Sequence, residues 1–311
     1  MVTLSLSRLL VELAPGLLGG YLLGRLKPEW VGPLATPLVR FGVPISLMGL
    51  LLKGGLNQSL LQMAALAAVA ILLMLFALRA WGKRFDQLLS PTLQLGSSVG
   101  NTAYFGIPVA LALLPPEALP ISIGYDFGAT LLAWGLGPIW ITQVQNRPNP
   151  KRLKILFDNL SSSPATRGLF GALLVMATPW QTTITTVLWV PSRIVIVLAL
   201  VVVGMRLASL SVTNTDDYVY PSALNVAVGF KLLLFPAFIF ALSLVLPISP
   251  VARQALVLQA AAPSAISVLL MAETEQADVD LAAQLIWRST LLAIITVPVW
   301  SLLLWTLGEK L

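Results

Sequence analysis

Residues 100–108 read Gly-Asn-Thr-Ala-Tyr-Phe-Gly-Ile-Pro, and residues 259–265 read Gln-Ala-Ala-Ala-Pro-Ser-Ala. Each motif lies in the middle of a long apolar segment and contains a proline, which removes one backbone donor and clashes with the preceding turn. Proline is nevertheless favoured at the first position of a new helix. The two motifs therefore predict that both apolar segments are broken into two half-helices.

The composition places these breaks in a lipid environment. Of the 311 residues, 57% are hydrophobic and 10% are charged, and the mean hydropathy is +0.88. A soluble domain could not bury that much apolar surface. A bilayer core of about 30 Å requires roughly 20 apolar residues per helical crossing. The sequence predicts an all-α membrane protein with ten spans, near residues 7–26, 34–53, 60–80, 91–114, 118–142, 165–180, 187–207, 221–246, 253–273 and 281–307.

The ten spans divide into two halves around a polar segment. Residues 1–142 form the first predicted five-helix unit, residues 143–164 form a linker too short for a soluble domain, and residues 165–311 form the second unit. Because five crossings are an odd number, the second unit is inverted relative to the first, which predicts an inverted repeat. Pro179 and Trp180 interrupt the least regular stretch, so counts of nine or eleven spans stay open.

Charge and residue usage exclude several function classes. The chain contains no cysteine and no histidine, which excludes thiolate and histidine metal sites and the usual nucleophilic triads, so no enzyme is expected. The basic residues lie between apolar segments without an aromatic-rich patch, which disfavours nucleic-acid binding. Most lie on one side of the predicted spans, and this side is expected to be cytoplasmic. The linker would then be cytoplasmic and both termini outside, in the inner (plasma) membrane.

The two predicted breaks favour an anion-binding site. Freed backbone groups cannot face lipid, and discontinuous helices at corresponding positions of two halves indicate a transport site. The half-helices that follow the two prolines run in opposite directions from the midplane, so their positive N-termini should converge. The predicted substrate-binding positions are Asn101, Thr102, Gly106, Pro108, Gln259, Pro263 and Ser264.

Three ionisable residues lie within the predicted spans, where an unpaired charge is costly. Asp126 and Lys231 both approach the midplane, and they could form a static ion pair or take part in proton- or substrate-linked steps. Arg288 lies closer to the cytoplasmic surface, which its long side chain could reach.

Several motifs together resemble the auxin efflux carrier family, which includes bacterial members and the plant PIN-formed exporters. The specific element is Asn-Thr-x-x-x-Gly-Ile-Pro at residues 101–108, supported by Ala-Ala-Ala-Pro at 260–263, Ala-Glu at 272–273, Lys-Leu-Leu at 231–233 and Gly-Met-Arg-Leu at 204–207. The likeness covers nearly the whole chain, although the long cytoplasmic loop of many plant members is missing.

This resemblance implies a carrier of a small organic anion, with Asn101 contacting a substrate carboxylate and Pro108 and Pro263 marking a crossing of helices 4 and 9. It implies a scaffold of spans 1, 2, 6 and 7, a transport domain of spans 3–5 and 8–10 that moves as an elevator, and a homodimer through the scaffold. Sodium or proton coupling is possible.

Two other functions stay open. A sodium-coupled symporter resembling the bile acid carriers would use Asn101, Thr102 and Gln259 as cation ligands, although no acid lies beside Pro263. A membrane receptor that binds a ligand without moving it would belong to another class. The sequence leaves the substrate, the coupling ion and the direction of transport undetermined.

Overall fold

The computed structural model describes residues 2–85, 90–142, 152–211 and 221–308. Within these ranges the backbone is almost entirely helical. The helices are α1 (Val2–Leu26), α2 (Val31–Pro37), α3 (Val43–Gly54), α4 (Gln58–Phe85), α5 (Pro91–Ser98), α6 (Ile107–Leu113), α7 (Ala118–Thr142), α8 (Arg152–Ser162), α9 (Pro164–Met176), α10 (Gln181–Ser211), α11 (Pro221–Gly229), α12 (Phe235–Val245), α13 (Pro250–Ala260), α14 (Ile266–Glu275) and α15 (Val279–Gly308).

Each of the ten predicted spans contains helix, which confirms the all-α membrane class. α7 begins and ends at the predicted boundaries of the fifth span. Five helical segments are long and apolar enough to cross a bilayer: Pro28–Gly54, Gln58–Gly82, Gln181–Ser209, Ser222–Val245 and Val279–Leu307. The chain is therefore an all-α, multi-pass membrane protein. That all ten predicted spans cross, and that the two halves form an inverted repeat, stays a prediction.

Within the described residues three π-turns interrupt the helices, and each has a proline as its cause. Leu38–Gly42, Thr102–Gly106 and Phe230–Leu234 directly precede α3, α6 and α12, whose second residues are Pro44, Pro108 and Pro236. A proline ring clashes with the carbonyl group four residues before it, and a wider turn removes the clash without ending the helix. These prolines therefore bend their spans instead of breaking them.

The linker contains a helix that the sequence analysis did not predict. α8 has its apolar residues Leu156 and Leu160 against Gly135 of α7, while Phe157 is 71% exposed. A helix with one apolar side and exposed aromatic residues suits the membrane–water interface. The preceding linker residues, 143–151, lie outside the described ranges.

Two sets of helices pack among themselves. α1 packs along α10, and α3 packs against α9 and α10. In the other set α4 packs against α7, α13 packs against α12, and both halves of the ninth span contact α7. Contact between the sets runs mainly through α6, which touches α1, and through α7, which touches α3. The surface between the two sets is where the site lies.

Candidate functional site

The fourth and ninth spans are both broken, and the two breaks meet. α5 ends at Ser98 and α13 ends at Ala260, and each is followed by a few non-helical residues. Gly100 and Ser264 form an isolated antiparallel bridge. The amide of Asn101 donates to the Pro263 carbonyl at 2.7 Å, and the amide of Ala265 donates to the Val99 carbonyl at 3.1 Å. Residues 99–101 and 263–265 are called the crossing below.

The crossing satisfies backbone groups that a broken helix leaves without partners. Ser264 adds further bonds, because its amide donates to the Ser289 hydroxyl at 3.1 Å and its own hydroxyl donates to the Gly96 carbonyl at 2.8 Å. All of these groups are buried. The crossing is therefore a built contact between two distant parts of the chain.

The prolines lie differently from the prediction. Pro108 was expected at the crossing, but it lies inside the first turn of α6, several residues after the break at Val99–Asn101. Pro263 does lie in the crossing, yet α14 begins only at Ile266, so Pro263 does not start that helix. Gly100 and Asn101, which precede the π-turn, supply the break in the fourth span.

A central cavity of about 100 Å³ lies beside the crossing, between the two sets of helices. The turns that follow the two breaks begin at Thr102 and Ile266, and both line this cavity. The first amides of a helix have no partner within the helix. The sequence placed the two converging helix starts at Pro108 and Pro263, whereas the starts that line the cavity are at Thr102 and Ile266. Its polar and charged lining residues are Ser46, Asn101, Thr102, Tyr104, Asp126, Thr130, Arg206 and Ser267.

Asp126 is the one acidic residue among the described residues that line the central cavity. It is 1% exposed, and its Oδ1 accepts hydrogen bonds from the Thr102 hydroxyl at 2.5 Å and the Thr130 hydroxyl at 3.5 Å. Tyr104 lies close by, and its buried hydroxyl has no partner among the described residues. Asn101 also lines the cavity, and its carboxamide can both donate and accept hydrogen bonds.

Lys231 lies on the other side of the crossing. Its ammonium group is fully buried, donates to the Ala260 carbonyl at 2.7 Å and lies 5.0 Å from the centre of the Phe235 ring. A Cβ atom at Gly100 would lie 3.1 Å from Lys231 Nζ. The positive charge thus occupies the C-terminal end of α13, where the helix dipole favours it. A larger residue at position 100 would crowd the ammonium group.

The pairing of Asp126 with Lys231 is not observed. Ion pairs within 4.0 Å in the described ranges join Lys27 to Glu29 and Arg206 to Glu273. Arg288 lies away from the cavity, where its guanidinium donates to Asn225 Oδ1 at 2.9 Å and more weakly to Gln284 at 3.4 Å. Its interactions tie α11 to α15.

Gln259 and Gly106 contact each other outside the central cavity. A Cβ at Gly106 would lie 2.1 Å from Gln259 Oε1, so any larger residue there would displace the Gln259 carboxamide. Gln259 is 1% exposed, and neither atom of its carboxamide has a partner among the described residues. Such a buried amide calls for water or a ligand.

A wider vestibule of about 720 Å³ adjoins the central cavity. Both are lined by Ala35, Val39, Trp134, Arg206 and Leu270. The other charged lining residues of the vestibule are Arg40, Arg167, Glu273 and Glu275.

The sequence analysis missed several of these lining residues. Tyr104 stands inside the quoted motif, three residues after Asn101, and Thr130 follows Asp126 by one helical turn, so spacing could have indicated both. Arg206 and Ser46 come from distant spans. Only the packing of α3 against α7, and of α10 against the turn at Thr102–Gly106, brings them to the site.

Comparison with known proteins points to transport. The family model described as the Sodium Bile acid symporter family matches residues 193–310. An uncharacterized transporter of Methanothermobacter thermautotrophicus is 25% identical over 221 residues, which cover 68% of this chain and 67% of that protein. An uncharacterized transporter of Methanocaldococcus jannaschii is 26% identical over 295 residues, which cover 90% of this chain and 92% of that protein.

These likenesses indicate a transporter-like membrane protein, in agreement with the expectation that the chain is not an enzyme. The matched family is the one that the sequence analysis gave as the second possibility. The resemblance to auxin efflux carriers stays a prediction.

Proposed function

We propose that this chain is a secondary carrier of a small organic anion, a monocarboxylate with an apolar tail. The observation that supports it most is the central cavity, which is lined by two helix starts together with Asn101 and Tyr104. Hydrogen-bond donors at helix N-termini favour a carboxylate. The apolar walls, which include Leu47, Leu50 and Val202, suit a hydrocarbon or aromatic tail.

In this proposal the molecule moves as an elevator. The ten spans form two inverted five-helix repeats, residues 1–142 and 165–311. Spans 1, 2, 6 and 7 form a scaffold that also joins two copies of the chain. Spans 3–5 and 8–10 carry the crossing past it. The central cavity lies between these two sets, and the vestibule opens it toward the basic, cytoplasmic side, so the described conformation faces inward.

The proposed substrate site consists of Asn101, Thr102 and Tyr104, with the amides at the start of α14. Gly106 and Pro108 shape the turn after Asn101, and Pro263 and Ser264 hold the crossing. Gln259 packs behind the turn at Gly106. Lys231 adds a fixed positive charge near the crossing, which favours an anion on electrostatic grounds.

The test is flux of radiolabelled indole-3-acetate and benzoate into sealed proteoliposomes. Asn101→Ala should reduce the flux at least about tenfold, since a charge-assisted hydrogen bond contributes about 1.5–3 kcal/mol. Asn225→Ala is the matched control, because it removes the same side chain from a position outside the cavity. Equal flux in Asn101→Ala and the control would refute the assigned role. Saturable binding without flux would favour a receptor.

Sodium coupling is the second candidate, and the family match over residues 193–310 favours it. The unpartnered Gln259 Oε1 and the Asp126 carboxylate are the available oxygen ligands. Against it, the Lys231 ammonium lies at the crossing and would repel a second cation there. Replacing sodium by potassium on both sides of the membrane decides the matter. Undiminished flux excludes a sodium symporter, and lost flux establishes one.

A further inference from the structure

Arg206 lies where the central cavity meets the vestibule. It is near the end of α10 and lines both spaces, and it is the charged residue that their linings share within the described ranges. An anion that moves from the vestibule to the central cavity therefore passes a boundary that Arg206 helps to line. Asp126, the other charged residue of the central cavity, carries the opposite sign.

Only part of the hydrogen-bonding capacity of Arg206 is used. Its Nη1 donates to Glu273 Oε1 at 3.1 Å, while its buried Nε has no partner within the described part of the chain. A guanidinium offers five donors and can hold a carboxylate through two parallel bonds. The side chains of Arg206 and Glu273 are 18% and 42% exposed, and ion pairs with that much access to water contribute little stability. The pair can therefore exchange partners.

We propose that Arg206 is the first binding residue for the substrate carboxylate, and that Glu273 occupies it when substrate is absent. This inference rests on the proposed function and adds to it a specificity-determining residue. The incoming carboxylate replaces the Glu273 carboxylate on the guanidinium and then passes to Asn101. Because Arg206 belongs to α10 and Glu273 to α14, the exchange also opens an ion pair between the proposed scaffold and the proposed transport domain.

A charge swap separates this role from that of a static ion pair. In the double variant Arg206→Glu/Glu273→Arg the attraction is kept, but the charge facing the central cavity is reversed. We expect the apparent melting temperature to return to within a few degrees of wild type, while benzoate and indole-3-acetate flux stay at least about tenfold reduced. Wild-type flux in the swapped protein would overturn the proposal.

Glu273→Gln provides a second measurement in a protein that keeps Arg206. The amide is a weaker competitor for the guanidinium than a carboxylate, so the KM for benzoate should fall severalfold. A contact that only holds the structure together would give an unchanged or higher KM, and that result would contradict the exchange of carboxylates.

A third measurement does not depend on the identity of the substrate. The chain has no cysteine, so Ser267→Cys places a single thiol in the central cavity. An anionic methanethiosulfonate reagent should modify this thiol faster than a cationic one, and Arg206→Gln should reduce that ratio about tenfold. Arg40→Gln is the matched control, because Arg40 lines only the vestibule.

The outcomes distinguish the inference from the proposed function. In one outcome, proteoliposomes with the wild-type protein show no carboxylate flux, but the thiol of Ser267→Cys still reacts faster with the anionic reagent and this preference depends on Arg206. The carrier assignment then fails, and the inference that Arg206 selects anions at the entry stands. If flux is present and Arg206→Gln and Arg40→Gln alter the reagent ratio equally, the inference alone fails.

Discussion

Lys231 contributes a charge to the crossing that an apolar side chain of similar length would not. Its ammonium caps Ala260 and lies against Gly100. Lys231→Met keeps most of the volume, and relief of the buried charge offsets the lost hydrogen bond, which is worth about 1–3 kcal/mol. We expect the melting temperature to change by only a few degrees, while the Kd for benzoate rises about tenfold. Lys53→Met, at an exposed position outside the central cavity, is the control.

The test of Lys231 combines a thermal unfolding curve with a binding titration of the same preparation. A large fall in melting temperature without a change in affinity would assign Lys231 to structure alone. That result would also remove the electrostatic argument against a cation at the crossing.

Asp126 places a carboxylate in a cavity proposed to hold an anion, so its charge state should control binding. When ionised it repels a substrate carboxylate, and when protonated it does not. We expect Asp126→Asn to retain benzoate exchange while losing the response of flux to an imposed pH gradient. The measurement is uptake into proteoliposomes at a fixed internal pH, with Asp158→Asn on the exposed side of α8 as control. A pH response that survives in Asp126→Asn would assign proton coupling elsewhere.

Among single residues, sequence reasoning identified those whose chemistry is unusual for their surroundings. Asn101, Asp126 and Lys231 are polar residues in apolar segments, and each lies at or near the crossing. It failed for Arg206, because an arginine at the end of a span reads as an orientation signal. It also paired Asp126 with Lys231, since depth in the membrane gives no information about which side of the crossing a side chain occupies.

Among the elements, the contact of α1 with α10 depends on glycine. A Cβ at Gly20 would lie 2.1 Å from the Val201 carbonyl oxygen, whereas a Cβ at Gly19 would meet nothing within 4 Å. Gly20→Ala should therefore lower the stability by about 1–3 kcal/mol, because the two backbones must separate. Gly19→Ala should be neutral or slightly stabilising, since alanine is the better helix former. Thermal unfolding in one detergent compares the two.

Equal melting temperatures for these neighbouring variants would show that α1 and α10 do not approach as closely as the structure places them. The four-residue spacing of Gly16, Gly20 and Gly24 is typical of a membrane helix that packs closely against another helix. The partner helix could not be predicted, because the spacing on α1 carries no information about α10.

The broken spans show why proline alone is an incomplete guide to a helix break. Pro108 and Pro236 each follow a π-turn through which the chain stays helical, whereas the break in the fourth span lies at Val99–Asn101. A lipid-facing break would leave backbone groups unbonded, so the chain breaks only where Pro263 and Val99 supply carbonyl acceptors from the other span. The sequence therefore predicts that a span is broken. The exact position of the break depends on tertiary contacts with the other broken span.

At the scale of the whole molecule, the packing of the helices is compatible with the proposed alternating access. α1, α3, α9 and α10 form one set and the crossing belongs to the other, so the central cavity has one wall in each. Relative movement of the two sets would carry Asn101 and Thr102 past the wall formed by α3 and α10. A site enclosed within a single set could not change its exposure in that way.

The predicted orientation can be tested with the same cysteine-free background. Phe157 on α8 is expected on the cytoplasmic side, and Gln181 at the start of α10 on the outside, since α9 and α10 run in opposite directions between them. A membrane-impermeant maleimide should label Phe157→Cys in inverted vesicles but not in intact cells, and Gln181→Cys in intact cells but not in inverted vesicles. Labelling of both thiols from the same side would contradict the crossing of α9 and with it the ten-span arrangement. If each thiol is labelled from the side opposite to the one expected, the ten-span arrangement still holds. The vestibule and the entry at Arg206 would then face the outside of the cell.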